Sequence, residues 1–132
     1  MQVEFLDDIS DGGKYKQVVS EQLIRLFDFD YLEAIKFKNL LQTIVIEQQN
    51  SLDITAQSFI QPINCTLLFS VNNEDRGIVT RDKQNFECKL SIEGYKQMVY
   101  LLEPFCESAS GYQWLYDLDT PIDLLFSPDG SW

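Results

Sequence analysis

The chain has 132 residues, 45% apolar and 13% aromatic, which is enough to bury a core and argues against disorder. Its 21 Asp and Glu against 10 Lys and Arg give a net charge of -11, which disfavours nucleic acid phosphates and anionic membranes as partners. Histidine is absent, and that excludes Ser-His-Asp and Cys-His hydrolysis, His-ligated zinc and His phosphorelay within the chain.

The charge is unevenly spread. All ten bases lie between Lys14 and Lys96, a span that also holds 11 acids. Residues 1–13 carry four acids and residues 97–132 carry six, with no base in either segment. A localised field of this kind biases the choice of partner, whereas a diffuse one mainly serves solubility.

In chain order, Val3 to Leu6 is predicted as a short edge strand. Asp7-Asp8-Ile9-Ser10-Asp11-Gly12-Gly13 superficially resembles a cation loop, but position twelve counted from Asp7 is Val18, where the calcium loop needs Glu. An acidic turn is the expectation. Residues Val18 to Phe29 suit either a helix face or a strand, and the run Gln22 to Phe29 favours a strand. Asp30 is placed to cap a helix, with Glu33 three residues on as in a capping box. Ala34, Phe37, Leu41 and Ile44 then recur at helical spacing, predicting a helix from Tyr31 to about Gln49.

Residues 52–62 form a connection. Ile63, Cys65, Leu67, Phe69 and Val71 alternate with mostly polar residues, the signature of a half-buried strand. Residues 85–91 alternate likewise and are predicted as its antiparallel partner, with Ile78-Val79-Thr80 extending or crossing that hairpin. Ser91 is placed to cap a second helix whose buried face carries Ile92, Tyr95, Val99 and Leu102, and Pro104 limits its end. Tyr112, Trp114 and Tyr116 alternate with Gln113, Leu115 and Asp117. A turn over 117–121, a strand over 122–126 and a last turn over 127–130 complete the chain.

Together these elements predict a single α+β domain over residues 1–132. Its sheet is mostly antiparallel, with two main helices packed on one face. The central βαββαβ order is compatible with a ferredoxin-like split arrangement. The N-terminus lacks the basic and apolar regions of a signal peptide, and no stretch approaches the roughly 18 apolar residues of a membrane span. With three cysteines lacking metal-type spacing, this points to the reducing cytoplasm. Cys65 and Cys88 read as small core residues. A disulfide between them would need their strands in register and an oxidising compartment. Cys106 sits near a helix end, where the dipole opposes a thiolate.

The candidate binding residues are Trp114, Tyr116, Asp117, Asp119, Asp123, Asp129 and Trp132. Both tryptophans fall in the last 19 residues, and aromatic rings beside carboxylates suit a basic partner. The plain structural alternative is that Trp114 is core, that Asp117 and Asp119 form a turn, and that Asp129-Gly130 closes the chain. The leading functional expectation is a small interaction protein, an inhibitor, immunity-type protein or adaptor, binding a protein with a basic surface through an acidic aromatic face built from both chain ends. The alternative is a carboxylate-based or divalent-metal-assisted enzyme using pairs such as Asp117 with Asp119 or Asp119 with Asp123. A nucleic acid mimic is a third reading. The motifs imply no cofactor or metal, and they leave the oligomeric state open.

Overall fold

The computed structural model describes residues 1–7 and 22–132. The expected acidic turn at Asp11-Gly12-Gly13, and the choice between helix and strand over 18–21, lie outside the described residues. The architecture is α+β, as expected. Strands β1 (Gln2–Leu6), β2 (Gln22–Phe27), β4 (Gln61–Pro62), β8 (Gln113–Trp114) and β9 (Ile122–Phe126) form a first sheet in the order β4-β1-β2-β9-β8. A second sheet has the order β3-β5-β7-β6, from β3 (Leu52–Asp53), β5 (Thr66–Val71), β6 (Gly77–Thr80) and β7 (Asn85–Leu90).

Both sheets are mixed, and two sheets of this order are not a split ferredoxin-like arrangement. β5 and β7 run parallel, with Phe69 opposite Cys88, where an antiparallel pair was expected. The reason is local. Asp82 accepts hydrogen bonds from the backbone N–H of Gln84 and Asn85 and from the Asn85 side chain, so residues 81–84 close a tight turn and β6 takes the antiparallel side of β7. Those same bonds hold the Asp82 carboxyl down at about 2. β5 is left the opposite side, which it can join only in parallel because its chain returns through β6 first.

Helix α1 (Tyr31–Leu40) begins where Asp30 accepts from the Glu33 N–H. Glu33 does not complete the expected capping box; its carboxylate bonds the terminal ammonium of Met1 at 2.7 Å. The helix runs on as seven residues of wider, π-type turns, Leu41–Glu47. There a residue's N–H reaches five positions back, as Gln48 does to Thr43. The wider turn sets Leu41, Val45 and Ile46 on one buried side. Gln49, with φ of 55°, closes the helical run where the sequence predicts. Helix α2 (Ile92–Leu102) is capped by Ser91, whose hydroxyl accepts from Gly94 N–H.

The helices pack against the inner faces of both sheets. Phe37 of α1 touches Phe69 of the second sheet and Phe126 of the first, and the Tyr95 ring of α2 lies edge-on to Phe69. The inner residues of β1, β2 and β9, among them Val3, Phe5, Ile24, Leu26, Leu124 and Phe126, belong to this main core. A smaller cluster forms on the outer face of the first sheet. There Trp132 covers Leu23 and Leu125, with Leu6 and Trp114 beside it.

Among the described residues, side chains and not ladders join the sheets. Asn64 imitates a strand neighbour: its carbonyl oxygen accepts from Phe5 N–H and its NH2 donates to Phe5 C=O, both at 2.8 Å. At the other junction the Tyr116 hydroxyl accepts from the N–H of Ile78 in β6 and donates to the C=O of Ile122 in β9. Gly77, at φ 73°, leaves room for this phenol: a Cβ there would lie 3.2 Å from the Tyr116 ring.

Candidate functional site

The Tyr116 junction also shapes a groove. Along one side of it runs α2, presenting Glu93, Gly94, Gln97 and Leu101; along the other runs the chain from Gln113 to Leu118, with Asp123 of β9. Three adjoining depressions share these residues. The central one, about 550 Å³, is lined by Gln97, Leu101, Gln113, Trp114, Tyr116, Asp117 and Asp123. A depression of about 320 Å³ continues towards Asp75, Glu93 and Leu118. One of about 350 Å³ continues past Tyr100 to Glu103 and Glu107.

Six carboxylates thus border the groove, and none of its lining residues is basic. Lys96, on the neighbouring side of α2, pairs with Glu93 at 3.4 Å in an exposed contact, worth little in water. Asp75 is engaged as well, accepting from the N–H and hydroxyl of Ser91. Among the described residues neither Asp117 nor Asp123 has an ion-pair partner. Asp123 is half-buried, and burial, reinforced by the Asp117 charge, pushes its carboxyl above the ordinary range. Among the described residues no base pairs with it to offset that cost. A carboxyl raised by burial in a cleft is a candidate for function.

The seven residues expected from the sequence divide three ways. Trp114, Tyr116, Asp117 and Asp123 meet in the central depression. Trp114 is half-buried, its indole edge-on to Tyr112 and to Trp132. The Tyr116 ring is buried, and burial raises its phenol far above the usual value. Asp119 is exposed in the connection between β8 and β9. Asp129 and Trp132 serve the terminal turn. Asp129 accepts from the Ser127 hydroxyl and from the N–H and hydroxyl of Ser131. Trp132 is 3% exposed and acts as a cover for Leu23 and Leu125.

The chain ends do meet: β1 and β9 flank β2. They converge on a base, however. Arg25 bonds Glu4 through both Nε and Nη2, at 2.9 and 2.6 Å, and donates to Gly130 C=O at 2.9 Å. Asp7 pairs with Lys83 at 3.4 Å. Asp117 and Asp123, which have no ion-pair partner among the described residues, lie instead between α2 and the tail.

The sequence reading did not include Glu93, Gln97, Leu101 and Gln113. The signal was present in α2, whose residues 93, 97 and 100 recur on one side with exposed Tyr100 among them; an apolar side chain 65% exposed is a clue to a contact surface. The cysteines offer no rival site. All three are free thiols. Burial pushes Cys65 to about 11 and Cys88 to about 12, and raises Cys106 too. Phe69, and not Cys65, stands opposite Cys88. Among the described residues no cluster of three or more side chains is arranged to hold a metal ion, and no helix is long and apolar enough to cross a membrane.

No protein-family model matches this chain, and no curated protein matches it in sequence.

Proposed function

We propose that this protein is an interaction module, an inhibitor, immunity-type protein or adaptor, that binds a basic segment of another protein in the groove between α2 and residues 113–123. The observation that carries the reading is the half-buried Asp123 beside Asp117, two acids without an ion-pair partner among the described residues, in a concave site whose walls are Trp114, Tyr116 and Leu101. A cationic partner would supply the missing charge, and the apolar walls would supply contact area. A cytoplasmic location fits the free, unreactive thiols.

A photoreactive phenylalanine analogue placed at Gln97, inside the groove, and at Val79, on the exposed side of β6, tests this in cells. The expected result is a discrete crosslinked protein from position 97 and not from 79, lost in Asp117→Asn/Asp123→Asn. Equal products from both positions, or products insensitive to the double substitution, would reject the groove.

One observation favours a second reading. Two carboxyls within electrostatic reach, one of them raised, are also the furniture of acid–base hydrolysis. That reading requires turnover of a substrate by the wild type that Asp123→Asn abolishes. The interaction reading expects occupancy of the groove without turnover.

A further inference from the structure

We propose that the centre of the groove receives one arginine side chain from an extended stretch of the partner. Its guanidinium would lie against the Trp114 indole and pair with Asp117 and Asp123. The proposal rests on the interaction reading above and names its anchor.

Three features of the molecule support it. The groove follows α2, whose 11 residues span about 16 Å; an extended stretch of about five residues covers that length. Charge is distributed along this line as a positive side chain at its middle would require. Asp117 and Asp123 stand at the centre without ion-pair partners among the described residues, while Glu93 lies towards one end and Glu103 and Glu107 towards the other. The third feature is the chemistry that the fold already uses on the outer face of its first sheet. There Arg25 lies 4.1 Å from the centre of the Phe27 ring, with Glu4 and the Gly130 carbonyl taking its N–H groups. Aromatic ring, carboxylate and amide acceptor recur in the groove, but no cation among the described residues lines it.

Arginine suits the place better than lysine. A planar guanidinium stacks on an indole while its edge donates to two acceptors, and it sheds water more readily than an ammonium. Gln97 and Gln113 stand on opposite walls and offer amide oxygens for the remaining donors; the Gln113 amide nitrogen is already engaged with the Trp114 carbonyl. Exposed Tyr100 and Tyr112 give apolar neighbours of the anchor something to rest on.

The test is an NMR titration of the labelled full-length protein with the blocked pentapeptide Ala-Leu-Arg-Leu-Ala and its lysine and citrulline counterparts. The arginine peptide should shift the Trp114 indole N–H and the Gln97 and Gln113 side-chain amides saturably. It should bind at least tenfold tighter than the citrulline peptide and several-fold tighter than the lysine peptide. Asp117→Asn/Asp123→Asn should weaken it at least tenfold, and so should Gln97→Lys, which places the chain's own cation in the groove at an exposed position. Preserved backbone spectra would show that both variants fold. Equal binding of arginine and citrulline, or of arginine and lysine, would overturn the proposal, as would shifts confined to residues outside the groove. If the peptides fail while position 97 still captures a protein in cells, the arginine anchor falls and the interaction reading stands. If both fail, both fall.

Discussion

Tyr116 does two jobs with one side chain. Its ring lines the groove, and its hydroxyl ties the N–H of Ile78 to the C=O of Ile122. Tyr116→Phe keeps the ring and orphans two buried backbone groups. It should therefore cost about 2 kcal/mol, read as a lower urea midpoint with an unchanged slope. Asp123 behaves in the opposite sense. Its carboxyl is raised in the folded protein, so its ionised form opposes folding, and that cost disappears as pH falls through the raised value. Asp123→Asn should accordingly raise the thermal midpoint at pH 7, and the difference from wild type should close in mildly acidic buffer. A neutral residue that gives no stabilisation at pH 7 would remove the argument that the acid is held there at a cost. Asp129 gives the contrast: three bonds to Ser127 and Ser131 make it part of the terminal turn. Sequence spacing sees the same residue type in all these places. What separates them is burial and partners, which only the fold supplies.

Periodicity served well for elements whose signal is local. The caps at Asp30 and Ser91, the half-buried β5 and the end of the first helical run at Gln49 were all legible in the sequence, because each depends on residues within a turn or two. Pairing was not. The choice of β6 over β5 as the antiparallel neighbour of β7 turned on Asp82 and its four-residue turn, and a parallel β5–β7 pair leaves no trace in alternation. Nor does the sequence reveal that a side-chain amide can stand in for a strand. Asn64→Ala removes both bonds to Phe5 and should destabilise by about 1–3 kcal/mol; Asn64→Asp should do nearly as badly, since it keeps the acceptor and loses the donor. At the tail, Trp132 was legible as an aromatic residue of consequence, but its consequence is to seal Leu23 and Leu125. Trp132→Ala should cost about 3–5 kcal/mol and expose an apolar patch that binds a hydrophobic dye. Loss of stability without dye binding would mean that other side chains close over the strand.

At the scale of the whole molecule, the charge pattern of the sequence survives folding in altered form. The two acidic ends are brought together across β2, yet Arg25 takes Glu4 and the tail carbonyl, and Lys83 takes Asp7. The free negative field is displaced to the far side of β9, where acids of the tail face α2 across an aromatic-walled groove. A groove of one sign speeds the approach of an oppositely charged partner and makes its affinity salt-dependent. The central claim is that this groove is the partner's seat. It is tested most directly by measuring the affinity of the protein captured at position 97 across a salt series, for the wild type and for Asp117→Asn/Asp123→Asn. The account predicts that wild-type affinity falls steeply with added salt, while the variant starts at least tenfold weaker and responds less. Equal affinity and equal salt dependence for the two proteins would contradict it.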